Sequence, residues 1–305
     1  MNAADRVSLP APAPVTSLSA VGGDLLISLA ASSGGAPRLA RCPLDVLGRW
    51  RPIPVPPDVV ADGDDVLCAR QVEQDGPILV AHTTGDEPAV MIDEPAGTVR
   101  VLDGPRWVEW LSEPRRGRLV VDGDRLAVWD VTSARWILEI EVEEGRDGAP
   151  ARGALAADGA VVAAAGHRPG LIEVRSVEDG STSGRFDGGP ERVGWIGFAP
   201  GDRLLVVLGA FGETAQLWDC DEGRRIVSDT FNDDQPLVMT AAFHPGGELM
   251  ALGGRYGAVD LVRLADGELV ASAEVPGAVG GLLFIDGGAR LLASGEDGHL
   301  EVWDL

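Results

Sequence analysis

The chain contains no lysine. All 25 of its basic residues are arginine, set against 48 aspartates and glutamates for a formal net charge of −23. A nucleic acid is held by neutralising its phosphates in a basic groove, so this balance argues against nucleic acid as a partner. No apolar run approaches the roughly 18 residues a helix needs to cross a bilayer, and no membrane association is expected. Cysteine is scarce. Cys42, Cys68 and Cys220 are an odd set without metal or redox spacing, which fits buried free thiols in a reducing compartment better than a disulfide framework. The stretch Met1 to Arg6 lacks the basic start and continuous apolar core of a secretion signal, so the expected location is the cytoplasm. Neither a glycine-rich phosphate cradle nor a Gly-x-Ser-x-Gly elbow occurs.

What the chain does have is a repeat. Trp129-Asp130, Trp218-Asp219 and Trp303-Asp304 recur at intervals of 89 and 85 residues, each closing a short apolar strand after a glycine-containing turn. Each interval holds two periods of 40 to 45 residues, the signature of a β-propeller, in which a four-stranded blade buries its faces only against its neighbours. Extending the alignment places matching strand ends near Arg41, Ile92, Trp129, Arg175, Trp218, Arg263 and Trp303, which makes seven repeats. A composition 45% hydrophobic and 24% charged is that of a globular domain, and the expectation is one all-β domain over residues 1–305.

The late repeats are the clearest. Val193 to Phe198, Val238 to Phe243 and Val279 to Phe284 each run into a Gly-containing turn and then a second apolar strand, a hairpin pattern. Repeats one, about Val15 to Pro54, and two, about Val66 to Leu102, lack Trp-Asp and rest on spacing. The seventh repeat stops after three strands, whereas Arg6 to Leu9 reads as a lone strand before the first full unit. Exchange follows: the N-terminal strand is expected to complete the last blade and leave no free sheet edge there.

These residues resemble the WD-repeat β-propeller family across essentially the whole chain. Within Leu282 to Asp304, the run Leu-Phe-Ile-Asp-Gly-Gly from Leu283, followed by Leu-Leu-Ala-Ser-Gly-Glu-Asp-Gly-His-Leu-Glu-Val-Trp-Asp to Asp304, follows its pattern most closely. In the family a turn Asp, the His of a Gly-His pair and the Trp form a hydrogen-bonded network. Asp297 and Trp303 match, the Gly-His pair is missing, and Gly166-His167 follows a second strand instead, so packing is expected to replace the network. The resemblance implies a rigid non-catalytic scaffold that binds a protein or peptide over one face, with loops choosing the partner.

Family topology would place two loop sets, second-to-third strand and outer-to-inner strand, on one rim. That rim would carry Asp62, Asp64, Asp65, Asp86, Glu87, Glu143, Glu144, Asp187, Asp233, Asp234, Glu296 and Asp297, an acidic face suited to steering a partner with a basic surface. The opposite rim would hold Arg115, Arg116, Arg118, Arg135, Arg224 and Arg225. Phe211, Arg255 and Tyr256 stand in second-to-third-strand turns where the family has small or polar residues, and they are the candidate anchors, because aromatics and arginine dominate binding hot spots. Trp107 and Trp110 fall where Val193 and Ile196 fall in repeat five and read as packing between sheets.

The remaining candidates point away from chemistry. His82, His167 and His299 belong to repeats two, four and seven, too far apart around a ring to share an ion with ligands at about 2.0 to 2.1 Å, and His244 belongs to the other rim. Asp62-Gly-Asp-Asp65 and Asp122-Gly-Asp124 lack the glycine and distal glutamate of a calcium loop. No metal, cofactor or catalytic residue is expected. The competing reading is a propeller lyase or hydrolase using a metal or histidine near the axis.

Overall fold

A computed structural model describes residues 6–30, 38–55, 66–71, 73, 76–82, 88–108, 110–141, 151–166, 168–210, 212, 214–227 and 237–305, the side chains of His82 and Val227 aside. Their short apolar runs form seven four-stranded antiparallel sheets. In chain order the strands of blade one are Val15–Val21, Asp24–Leu29, Leu39–Pro43 and Arg51–Ile53, and those of blade two Val66–Gln71, Ile78–His82, Val90–Asp93 and Thr98–Val101. Blade three has Trp110–Leu111, Arg118–Asp122, Arg125–Asp130 and Arg135–Glu141; blade four Arg152–Leu155, Val161–Ala165, Leu171–Ser176 and Thr182–Asp187. Blade five has Val193–Phe198, Leu204–Gly209, Ala215–Asp219 and Arg224–Val227; blade six Val238–Phe243, Leu249–Gly254, Ala258–Arg263 and Leu269–Glu274. Blade seven takes Val279–Ile285, Arg290–Gly295 and His299–Asp304 from the end of the chain and Arg6–Pro10 from its beginning.

The first strands of adjacent blades meet around an axis, except between blades three and four, where the second strand Arg118–Asp122 meets Arg152–Leu155. Second strands are buried along nearly their whole length, as in Arg290–Gly295, whereas the outer strand Leu269–Glu274 has four of six residues exposed and none buried. This is the gradient expected when only the outer edge meets water. Seven hydrophobic clusters lie one at each junction between adjacent blades, including the junction of blade seven with blade one. Stability therefore belongs to the closed ring. The chain is a seven-bladed β-propeller.

Closure follows the sequence expectation. Arg6–Pro10 pairs antiparallel with His299–Asp304, Arg6 opposite Trp303 and Pro10 opposite His299. The Arg6 side chain donates from Nε and Nη2 to the two carboxylate oxygens of Glu301, each at 2.6 Å.

The register corrects two anchors of the sequence alignment. Leu205 lies opposite Trp218 and Leu291 opposite Trp303, and the equivalent pairs in blades one and six are Leu25 with Cys42 and Met250 with Val262. Arg41 and Arg263 are thus each one residue away from the Trp position, and side chains alternate faces along a strand. Arg41 meets Asp24 at 3.6 Å and Glu94 at 2.9 Å, while Arg263 meets Asp266 at 2.9 Å and Glu268 at 2.5 Å.

Packing does not act alone in replacing the family network. Two residues before the Trp position, four blades bury a polar acceptor, and in blade six Asp260 takes a hydrogen bond from Ser272 Oγ at 2.6 Å. Gln216 takes a hydrogen bond from Trp218 Nε1 at 3.0 Å, Glu173 from Arg175 at 2.5 Å, and Glu301 from Arg6. A buried acceptor without a donor would cost about 1–3 kcal/mol, which these pairs avoid.

Candidate functional site

Because strands alternate in direction, each blade sends its second-to-third turn and its outer-to-inner connection to one rim, here called the crossover rim. Its inner-to-second and third-to-outer turns go to the other, the hairpin rim. On the crossover rim Asp187 ends the outer strand of blade four and is exposed, and Glu296 and Asp297 form the exposed turn of blade seven. Asp297 Oδ1 accepts the backbone N–H of His299 at 3.0 Å, and its Oδ2 meets the ring Nδ1 of His299 at 2.9 Å. Asp62, Asp64, Asp65, Asp86, Glu87, Glu143, Glu144, Asp233, Asp234 and Phe211 lie outside the described residues.

Arg255 and Tyr256 form the corresponding turn of blade six, and Tyr256 is 75% exposed. The turn is tied on both sides. Arg255 N–H donates to the Leu237 carbonyl at 2.9 Å, and Val275 N–H donates to the Gly257 carbonyl at 2.9 Å. Gly257 has φ +92°, and a Cβ there would stand 2.1 Å from the Val275 carbonyl oxygen, so only glycine fits.

Trp107 overturns the expectation that it packs between sheets. It is 55% exposed at φ +52° in the connection entering blade three, whose inner strand has only two residues, Trp110–Leu111. The preceding Gly104-Pro105 pair is the signal that could have found it, since such a pair interrupts strand pairing. Trp110 meets the expectation in part: it is half-buried and packs against the cluster between blades two and three.

The hairpin rim holds arginines, but many are matched by acids. Arg118 pairs with Asp130 at 3.2 Å, Arg203 with Asp219 at 2.7 Å, Arg224 with Glu222 and Arg290 with Asp286. The acid of a Trp-Asp pair also caps the next turn. Asp219 Oδ1 accepts the N–H groups of Asp221 and Glu222 at 3.0 Å each, and Asp130 Oδ1 accepts the Ser133 N–H at 2.8 Å. Hydrogen bonding from Arg203, then from the Glu222 amide, holds the Asp219 carboxyl below its usual range. At Asp130 burial pushes the other way and is outweighed by hydrogen bonds from Ser133 and Arg118.

The inner strands enclose a cavity of about 410 Å³ that receives residues from every blade and opens among hairpin-rim turns bearing Arg115, Ala157, Pro200, Asp202 and Pro245. Its walls include Trp110, Trp195, Phe198, Phe243 and Phe284, with Arg70 and Glu113 at one side.

The histidines and acids weighed for metals are used otherwise or fall outside the described residues. His244 Nδ1 accepts the Gly246 N–H at 3.0 Å and its ring meets Phe284 edge-on, Asp124 accepts the Arg106 N–H at 2.8 Å, and Asp122 Oδ2 the Gly153 N–H at 3.3 Å. His167, Asp62, Asp64, Asp65 and the His82 side chain lie outside the described residues. Among the described residues no three His, Cys, Asp or Glu side chains gather as a metal site, and no helix is long and apolar enough to cross a membrane. No protein-family model matches the chain, and no curated protein matches its sequence.

Proposed function

We propose that this propeller is a WD-repeat-type interaction scaffold, non-catalytic and cytoplasmic, that takes a protein or peptide with a basic surface on its crossover rim. The observation that carries the reading is Tyr256, 75% exposed beside Arg255 on a turn anchored to both neighbouring loops. An aromatic side chain has few rotatable bonds to fix on binding, the more so on a turn whose backbone is already tied, and Tyr, Trp and Arg are the residues that supply most interface energy. Trp107 adds a second exposed aromatic on the same rim. The acids at Asp187, Glu296 and Asp297, with Asp62, Asp64, Asp65, Asp86, Glu87, Glu143, Glu144, Asp233 and Asp234, would steer a cationic partner and set the encounter rate.

The test is retention of partners from native lysate at low salt by the wild type, by Tyr256→Ala, and by a variant with Asp64, Asp65, Asp233 and Asp234 changed to Asn. A partner retained by the wild type should be lost from Tyr256→Ala and weakened by salt and by the Asn variant. Equal retention by all three proteins overturns the reading.

A further inference from the structure

The channel mouth on the hairpin rim contains a buried charge that an interaction platform on the other face does not use. Arg70, on the inner strand of blade two, is 3% exposed. Its Nη1 donates to the Ala69 carbonyl at 3.0 Å and reaches the Leu18 carbonyl at 3.4 Å and Ser17 Oγ at 3.5 Å, while its Nε is buried without a hydrogen-bond partner. The guanidinium carbon stands 5.4 Å over the Trp110 ring. Among the described residues its ion-pair partner is Glu113, at 3.2 Å, whose own side chain is 50% exposed.

A buried guanidinium needs a carboxylate to offset its desolvation. Here that carboxylate comes from outside the core, on a side chain free to swing into water. Glu113 therefore marks where a carboxylate belongs and is displaceable from it. Beside this charge the cavity is apolar and aromatic. Trp195 and Phe243 lie 5.7 Å apart at 52°, both half-buried, so their rings still offer surface to an occupant. The volume of about 410 Å³ falls within the roughly 300–1,000 Å³ of small-molecule sites.

We propose that this mouth binds an amphipathic monocarboxylate: an aromatic or apolar body against Trp110, Trp195 and Phe243, with one carboxylate replacing Glu113 on Arg70. Exchange of one carboxylate for another keeps Arg70 neutralised, and the fork of the guanidinium suits a two-oxygen acceptor. The source is a free small acid or the C-terminus of a peptide ending in an aromatic residue. The site lies on the face opposite Tyr256, so it stands independently of the partner proposed above.

Calorimetric titration tests it with indole-3-propionate, its amide, tryptamine, and the peptide Gly-Gly-Phe with a free or amidated C-terminus. The free acids should bind saturably and about tenfold or more tighter than their amides or the amine, because a charge-assisted pair is lost without the carboxylate. Saturable binding by indole-3-propionate alone assigns a small-molecule source, and by the free-acid peptide alone a chain terminus. Glu113→Gln, which removes an exposed competing carboxylate, should bind the acids more tightly, and Arg70→Gln should bind acid and amide alike. Wild-type protein that binds acid and amide equally, prefers tryptamine, or binds no free acid overturns the proposal, as does a Glu113→Gln protein that binds the acids no better.

Discussion

Arg6 and Glu301 lie 295 residues apart in sequence and form a two-pronged ion pair, both contacts at 2.6 Å, that ties the first strand of the chain to the last. The two partners are not equivalent. The Glu301 side chain is 1% exposed and that of Arg6 34%, so removing Arg6 strands a buried carboxylate, while removing the acid leaves an arginine that can turn to water.

Arg6→Ala should therefore lower unfolding free energy by about 3 kcal/mol, and Glu301→Gln by about 1 kcal/mol. Deleting residues 1–10 should cost more than either, since it also unpairs the edge of His299–Asp304 and removes Leu9 from its cluster. Denaturant titrations of the three variants check the order. A deletion that melts with the wild type would refute closure by the N-terminal strand.

Two glycines of similar dihedral separate backbone strain from collision. Gly23 has φ +91°, and a Cβ added there would have nothing within 4 Å, whereas at Gly257, φ +92°, it would meet the Val275 carbonyl at 2.1 Å. Gly23→Ala should cost about 1 kcal/mol for the left-handed conformation. Gly257→Ala should cost about 3 kcal/mol or more, as the Val275 strand connection must move. Equal melting temperatures for the two variants would contradict this placement of the Tyr256 turn.

Acid should destabilise the ring through its turn caps. The carboxyls of Asp219, Asp130 and Asp266 are held below their ordinary value of 3.8 in the folded protein, so between the folded and unfolded values the unfolded chain binds more protons. Their stabilisation is present above pH 3.8 and is lost as pH falls through the folded values. Stability measured from about pH 6 to about pH 2 should drop in that window, and Asp219→Asn should flatten the drop. An acid limb unchanged by the substitution would show that Asp219 does not contribute.

Cys220 should resist alkylation. Burial, then the neighbouring charges of Asp219, Asp221 and Asp202, push its thiol up from 9.0 to about 12. That leaves about a thousandfold less thiolate at neutral pH than a thiol at its ordinary value, and the thiolate is the reactive form. Peptide mapping after iodoacetamide treatment in mildly alkaline buffer should find Cys220 unmodified in the native protein and modified in urea. Rapid native labelling would place it in a different environment.

Much of this architecture is legible in one dimension because a blade is a local object. Three Trp-Asp pairs, glycine turns and short apolar runs set the period, and a seventh unit short of one strand, with a spare strand at the other end, is enough to infer that the ends exchange. The same local pattern misplaced Trp107, because a Gly-Pro pair shortens the strand it was aligned to, and it slipped by one residue at Arg41 and Arg263, where no tryptophan marks the register.

What the amino-acid order determined alone is the kind of unit and the number of units, which depend on spacing between residues close in the chain, and how the ring shuts, which follows from a last unit short of one strand and a spare strand at the other end. Tertiary structure alone decided which side chains share the axis. Arg70 meets Ser17 across 53 residues and faces Glu113 across 43, and Trp195 and Phe243 reach the same cavity from other blades. No sequence interval encodes that meeting, because it exists only once seven inner strands have closed around a common centre.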